Sequence, residues 1–246
     1  MAGPRRWIEH WPAAALGGLV VLVAAFWAYQ YGLVRPSYPD AGLYPVRGID
    51  VSHHNGAIAW RRLHDAGIRF AYLKASEGGD FRDGIFAANA QGAARVGVSA
   101  GAYHYFTLCR PGSEQARNFL AATVTARLRL PPAVDLEFGG NCADRPSRRA
   151  FNHELASYLE AVRAGTGREP VLYVTEDFHK AYLANSPFQR RTFWIRDLVG
   201  AMRAPAHARV RFWQYSAQGR VDGIEGPVDL NVFLGDEVAF RAMLAP

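Results

Sequence analysis

Short apolar segments typical of β-strands alternate with amphipathic segments along most of the chain. The strand-like segments are VRGIDVS (46–52), IRFAYLKAS (68–76), VSAGAYHYF (98–106), PPAVDLEF (131–138), PVLYVT (170–175), TFWIRD (192–197), ARVRFWQYS (208–216) and PVDLNVF (227–233). Apolar residues at helical spacing predict helices over 58–67, 83–97, 113–128 and 148–167, and a last helix over 235–244. The chain therefore carries one alternating α/β pattern from residue 46 onward.

This alternation predicts a mostly parallel sheet, closed or nearly closed into a barrel. The strand segments are apolar almost throughout, as expected where helices cover the outer face of the sheet. Helical segments are missing between the later strands, so the pattern indicates an irregular TIM-like α/β barrel rather than a regular eight-fold one.

The first residues of the chain have a different composition. Residues 11–34 contain no charged side chain and, as a helix, would extend about 36 Å, enough to cross about 30 Å of hydrocarbon. Arg5 and Arg6 precede them, which predicts a cytoplasmic segment over 1–10, a transmembrane anchor over 11–34, and export of the rest. The proline-rich segment 35–45 reads as a linker to a catalytic domain over 46–246. A cleaved signal peptide, ending near Ala25, is the alternative, with secretion of the domain.

Composition narrows the possible partners. The formal net charge of +6 suits an anionic partner such as a cell wall, but the arginines form no long basic run. The sequence has no zinc-type cysteine spacing and no phosphate-binding GxxxxGK[ST] motif. We therefore expect no nucleic acid, no metal and no cofactor, and take a monomer as the default.

Four carboxylates occur where strand segments end or are interrupted: Asp50, Asp135, Glu137 and Asp229. The carboxyl ends of barrel strands form the active sites of such folds. Asp135 and Glu137, two residues apart in a strand, point to the same face about 6.6 Å apart along the backbone. Mutual repulsion lets one of them stay protonated, as a glycosidase acid requires. The alternative is a solvated face of an edge strand.

Six segments resemble glycoside hydrolase family 25, the Chalaropsis-type lysozymes. They are GIDVSHHNGAIAW (48–60), AYLKASEG (71–78), GAYHYF (101–106), PAVDLEF (132–138), FWQYS (212–216) and VDLNVF (228–233). The resemblance implies a flattened α/β barrel with its site at the carboxyl ends of the strands. It also implies hydrolysis of the β-1,4 bond between N-acetylmuramic acid and N-acetylglucosamine in peptidoglycan glycan strands.

The same resemblance assigns roles to the carboxylates. Glu137 matches the general acid/base and Asp135 the second carboxylate of the pair, while Asp50 and Asp229 match two further acidic residues that shape the site. We expect a retaining reaction in which the substrate's N-acetyl oxygen is the nucleophile and Asp135 stabilises it. The alternatives are an inactive peptidoglycan-binding scaffold of this fold, or a glycosidase acting on another N-acetylhexosamine polymer such as chitin.

Five aromatic residues are candidate substrate contacts, because aromatic faces suit sugar C–H surfaces. They are Tyr103, Tyr105, Trp194, Trp213 and Tyr215. Burial in the core is the alternative for each of them. Lys74 and Glu77, at the end of one strand segment, are either a buried ion pair or direct participants.

The histidines and cysteines suggest different chemistry. His53, His54 and His104 could indicate a metal, but adjacent histidines in a strand point to opposite faces, which disfavours a shared ion. Cys109 and Cys142 follow two strand segments whose loops should lie together at the same end of the barrel. Export would favour a disulfide between them, and two free thiols are the alternative.

Overall fold

The protein is described by a computed structural model that covers residues 11–30, 37–205 and 208–244. It divides into two compact units, Met1–Pro36 and Ser37–Pro246. In the first unit, α1 spans Trp11–Gln30. No helix among the described residues combines the length and apolarity needed to cross a membrane. Residues 1–10 and 31–34 of the predicted segments lie outside the described residues.

The second unit is built on one sheet, which has nine strands in its described part. They are β1 (Arg47–Val51), β2 (Ile68–Glu77), β3 (Phe81–Arg82), β4 (Ser99–Tyr105), β5 (Ala133–Leu136), β6 (Val171–Val174), β7 (Thr192–Arg196), β8 (Arg209–Gly219) and β9 (Val228–Phe233). Eight of these coincide with the strands predicted from the sequence. The short β3 was not predicted and forms a hairpin with the end of β2.

Eight of the strands close into a barrel. β1, β2, β4, β5, β6, β7 and β8 are parallel neighbours in that order. β9 then closes the barrel, because it pairs antiparallel with both β8 and β1. The predicted mostly parallel barrel is therefore confirmed, with a reversed last strand.

Helices cover the first part of the barrel. They are α2 (Trp60–Asp65), α3 (Phe86–Val96), α4 (Gly112–Thr123), α5 (Arg148–Thr166), α6 (Glu176–Phe178) and α7 (Glu237–Met243). α6 continues into a single π-helical turn, His179–Leu183. α5 begins where the Ser147 side chain accepts a hydrogen bond from the Ala150 amide and ends at Gly167, whose φ of 70° suits glycine. Within the described residues, no helix connects β7 to β8 or β8 to β9, as the sequence pattern predicts.

Side chains alternate between two hydrophobic cores. The outward-facing residues of the strands pack with the helices in the larger core. The inward-facing residues fill the barrel with aromatic rings, among which Tyr72 and Trp194 stack at 4.7 Å between ring centroids. Phe240 of α7 packs on Phe70 and Phe233 in this inner core, beside Val46, Ala133 and Val171 at the amino ends of their strands. The amino end of the barrel is thus filled by apolar side chains.

Residues 37–44, which the sequence predicts as part of a linker, pack against the barrel. Ser37 Oγ donates a hydrogen bond to the Gly200 carbonyl at 2.8 Å. The ring of Tyr38 lies 5.5 Å from that of Tyr215, and Tyr44 lies 6.0 Å from Trp213, centroid to centroid. These contacts make this segment part of the folded unit.

Candidate active site

The structure brings all four predicted carboxylates to one end of the barrel. Asp50 lies in β1, Asp135 in β5, Glu137 directly after β5, and Asp229 near the start of β9. Because β9 is antiparallel, its amino end lies beside the carboxyl ends of its neighbours, and Asp229 stands opposite Asp50 in the register. The four carboxylates line a cavity of about 90 Å³ together with Tyr103, Tyr173, Trp194 and Gln214.

A network of buried hydrogen bonds fixes Asp50. Its Oδ2 accepts from Asn231 Nδ2 at 2.7 Å and from Gln214 Nε2 at 3.1 Å. Tyr173 donates its hydroxyl to Gln214 Oε1 at 2.8 Å, and Trp194 Nε1 donates to Asn231 Oδ1 at 2.7 Å. The side-chain oxygen of each amide therefore accepts a hydrogen bond, which fixes the amide so that its NH₂ group faces the Asp50 carboxylate.

Sequence reasoning missed three members of this network: Tyr173, Gln214 and Asn231. A signal was present for the two amides, because each interrupts an apolar strand, in FWQYS and VDLNVF. Gln214 is 2% exposed and Asn231 is completely buried. Since buried amides need partners, a polar residue at such a position indicates a hydrogen-bond network.

Asp50 and Asp229 form a pair that holds a proton. Burial raises the pKa of Asp50 to about 6, against the lowering effect of its hydrogen bonds from Asn231 and Gln214. Burial, and then the negative charge of Asp50, raise the pKa of Asp229 well above its usual range. The two carboxyls are hydrogen-bonded to each other. Asp229 is therefore the protonated partner, and it donates to Asp50.

Asp135 and Glu137 also favour their neutral forms. Burial raises the pKa of Asp135 well above its usual range, and the charges of Glu137 and Asp50 add to this. Burial raises the pKa of Glu137, with Arg196 acting in the opposite direction. Asp135 Oδ1 is buried and has no hydrogen-bond partner among the described residues. Both carboxyls thus have raised pKa values, and the pair also offers a buried acceptor oxygen, which suits acid catalysis beside a stabilising group.

Lys74 supplies positive charge close to the pair. Its Nζ lies 2.6 Å from Glu77 Oε2, with the Lys74 side chain 11% exposed, which favours the ion-pair alternative. The same nitrogen lies 5.1 Å from the centre of the Tyr105 ring. Its charge lowers the pKa of both Asp135 and Glu137. Lys74 therefore opposes the rise in pKa that burial causes in Asp135 and Glu137.

The predicted aromatic contacts divide into three groups. Tyr103 and Trp194 line the cavity with the carboxylates. Tyr105 is buried, and its hydroxyl donates to the Gly139 carbonyl at 2.5 Å in the loop after β5. Trp213 and Tyr215 are buried in the larger core, which is the alternative considered for them in the sequence analysis. The reason is alternation along β8, where Phe212 and Gln214 face inward.

The histidines are arranged differently from the prediction. His53 and His54 lie in a 3₁₀ turn, not in a strand, and their ring centroids are 4.0 Å apart. His53 Nδ1 lies 3.1 Å from Asp83 Oδ2. His104 is buried outside the barrel, with Nδ1 2.8 Å from Ser76 Oγ, and burial lowers its pKa to about 4. In the part of the chain that is described, no group of three or more His, Cys, Asp or Glu side chains is arranged for a metal.

The predicted disulfide is confirmed. Cys109 and Cys142 are bonded, with their Cα atoms 6.0 Å apart. They join the loops that follow β4 and β5, next to the segment that carries Glu137. Asn141, beside Cys142, donates to the carbonyls of Phe106 and Glu137, both at 2.9 Å. The disulfide and this amide together fix the loop that follows the acidic pair.

A closed α/β barrel that collects buried carboxylates at the carboxyl ends of its strands suits the acid–base chemistry of a glycoside hydrolase. The chain belongs to Glycosyl hydrolases family 25, whose sequence pattern it matches over residues 49–224. The protein is therefore a glycoside hydrolase, and the predicted resemblance to this family is confirmed.

Individual relatives agree with this assignment. The chain is 36% identical over 208 residues to the uncharacterized protein YegX of Escherichia coli, a match that covers 82% of this chain and 74% of YegX. It is 34% identical to Lysozyme M1 of Streptomyces globisporus, over 80% of this chain and 71% of that protein. A solved structure of a family 25 glycosyl hydrolase from Bacillus anthracis superposes with a TM-score of 0.77 at 30% identity, covering 85% of this chain and 97% of that one.

Proposed function

We propose that the protein is a lysozyme of the N-acetylmuramidase type, which hydrolyses the β-1,4 bond between N-acetylmuramic acid and N-acetylglucosamine in peptidoglycan. Membership of family 25 and the similarity to Lysozyme M1 support this substrate class. The observation that carries the chemistry is the pairing of Glu137, whose pKa is raised by burial, with Asp135 Oδ1, which has no hydrogen-bond partner among the residues that the structure describes. The pairing supplies a proton donor and a free acceptor on one face of β5.

In the proposed mechanism, Glu137 donates its proton to the glycosidic oxygen as the bond to the anomeric carbon breaks. The acetamido oxygen of the same sugar attacks that carbon, and Asp135 Oδ1 accepts a hydrogen bond from the acetamido N–H. The cyclic intermediate is opened by water, which gives a proton back to Glu137 and regenerates the acetamido group. Two displacements at one carbon retain its configuration. A covalent glycosyl–Asp135 adduct in a trapped reaction would contradict this route.

Asp50 and Asp229 have a supporting role in this mechanism. Asp50, held by two amide donors, places negative charge at the floor of the cavity. That charge stabilises the positive character that develops on the sugar ring in the transition state. Asp229, as the protonated partner, lowers the cost of burying Asp50.

The proposal is tested by digesting purified peptidoglycan with the protein, its Glu137→Gln variant and a matched Glu237→Gln variant. Glu237 is an exposed residue of α7, on the helix that packs at the amino end of the barrel. Mass spectrometry of borohydride-reduced products should show new reducing ends on N-acetylmuramic acid. Glu137→Gln should lower the rate about 10²- to 10⁴-fold, the contribution of general acid–base catalysis, and Glu237→Gln should not.

Two outcomes would contradict the proposal. Cleavage of chitin oligomers in preference to peptidoglycan would indicate another N-acetylhexosamine polymer as substrate. Wall binding without release of products, by the wild-type protein and the variants alike, would indicate a scaffold.

We also infer that the catalytic domain works outside the cytoplasm and as a single copy. The Cys109–Cys142 disulfide supports export, because disulfides persist in oxidising compartments. All four carboxylates come from one chain, so the site needs no second subunit. Fractionation of cells, with alkylation of free thiols before lysis, tests the location. Recovery of the protein in the cytoplasm with two alkylated cysteines would contradict it.

A further inference from the structure

A second and larger cavity, of about 500 Å³, lies at the carboxyl ends of β6 and β7. This volume is within the range of about 300–1,000 Å³ that is typical of ligand sites. Its walls include Thr175, His179, Lys180, Arg196, Arg203 and Ala204. None of the residues predicted from the sequence as catalytic or substrate-binding contributes to it.

The cavity is next to the acidic cluster. β5, which leads to Glu137, is the neighbour of β6, and β6 is the neighbour of β7. Arg196, at the end of β7, lines the cavity, and its charge lowers the pKa of Glu137, Asp50 and Asp229. A glycan bound at the carboxylates would therefore have this cavity beside it.

The cavity walls carry charges of both signs. Lys180, Arg196 and Arg203 are cationic, and Glu176 and Asp197 are anionic. Arg203 Nε lies 3.1 Å from Asp197 Oδ2, and Lys180 Nζ lies 2.6 Å from Glu176 Oε1. The Lys180–Glu176 pair is exposed and contributes little to stability, and the Arg203 side chain is exposed although its partner Asp197 is buried. A ligand with its own charges can therefore compete for Lys180 and Arg203.

One feature of the wall points to a polar ligand. The Thr175 hydroxyl is buried and has no hydrogen-bond partner within the described part of the chain, although a buried hydroxyl normally has one.

We propose that this cavity binds the peptide attached to the lactyl group of N-acetylmuramic acid, so that the enzyme prefers peptide-bearing glycan to bare glycan. A short peptide with carboxylate, amide and amine groups matches walls of both charges, and the bond to the sugar places it next to the cleavage site. The inference rests on the proposed function, because it requires a glycan at the carboxylates.

The test compares a peptide-bearing glycan oligomer with the same oligomer after enzymatic removal of its peptides. Binding is measured by calorimetry in the Glu137→Gln background, which does not depend on turnover, and hydrolysis is measured with the active protein. We expect the peptide to improve both Kd and kcat/KM at least about tenfold, the effect of one hydrogen bond to a charged group.

Two variants locate the effect. Ala204→Trp fills the cavity from its exposed rim, and Lys180→Glu reverses one wall charge. Each should bring the ratio between the two substrates close to one. Val124→Trp, at a 79% exposed position of the C-cap of α4, is the matched control and should keep the wild-type ratio.

Each outcome decides a different question. Equal affinities of the wild-type protein for the two glycans, or a preference that survives both cavity variants, would overturn the inference. Peptide-dependent binding without hydrolysis by any variant would support the cavity assignment and contradict the proposed muramidase activity.

Discussion

Replacing Asn231 with aspartate would place another carboxyl in contact with Asp50. Asn231 is completely buried, donates to Asp50 Oδ2 at 2.7 Å and accepts from Trp194 Nε1 at 2.7 Å. An ionised carboxylate would keep the contact with Trp194 but lose the donor to Asp50, and two negative charges would meet without water. The protonated form can still donate to Asp50. The folded variant should therefore stay stable while the new carboxyl is neutral, and it should lose stability when that carboxyl ionises.

The expected loss of stability follows from the pKa of Asp50, the carboxyl already present at this site. Burial raises the pKa of Asp50 from its ordinary value of 3.8 to about 6, and the new carboxyl would share that environment. A difference of about 2 pKa units corresponds to about 3 kcal/mol. Since the pKa is higher in the folded than in the unfolded protein, stability is retained at low pH and lost as the pH rises through that range. We expect a loss of about 3 kcal/mol at pH 7.5 and under about 1 kcal/mol at pH 4.

The assay is urea unfolding followed by tryptophan fluorescence, with the variant compared with the wild-type protein at each pH. Asn185→Asp is the matched control, because Asn185 is exposed and aspartate also tolerates its left-handed backbone. Its effect should not change between pH 4 and 7.5. A loss of stability in Asn231→Asp that is equal at both pH values would refute the reasoning, since it would mean that ionisation is not the cause.

Three other predictions concern the loops, the acid and the outer core. Replacing both Cys109 and Cys142 with serine should lower the free energy of unfolding by about 4 kcal/mol, given their sequence separation of 33 residues; an unchanged urea midpoint would contradict this. Because the acid must be protonated, kcat should fall as the pH rises through the raised pKa of Glu137, and Arg196→Gln, which removes a charge that lowers this pKa, should move the fall to higher pH. A pH profile that is identical in the variant would contradict it. Trp213→Phe loses the hydrogen bond to the Asp197 carbonyl and should cost about 1–3 kcal/mol of stability with KM for peptidoglycan unchanged; a higher KM would show a substrate contact.

The sequence by itself determined the order of the elements and most of the acidic site. Strands and helices are specified by local periodicity, which does not require knowledge of distant residues. Asp135 and Glu137 were expected to share a face because they are two residues apart in one predicted strand, and the structure ends that strand at Leu136, directly before Glu137. The loops that carry Cys109 and Cys142 follow consecutive parallel strands. Because such strands are usually neighbours, the sequence predicted that the two loops lie together.

Other features depended on the tertiary structure. β8 carries aromatic residues on both faces, with Phe212 on one and Trp213 on the other. Its sequence therefore does not show that Gln214 faces the acidic cavity while Trp213 packs in the outer core beside Tyr44. The antiparallel direction of β9, which sets Asp229 opposite Asp50, results from closure of the barrel. The contact of Asn231 and Gln214 with Asp50 joins residues 181 and 164 positions apart. Orientation, register and hydrogen bonding between distant strands depend on how the barrel closes, and local sequence patterns do not encode that.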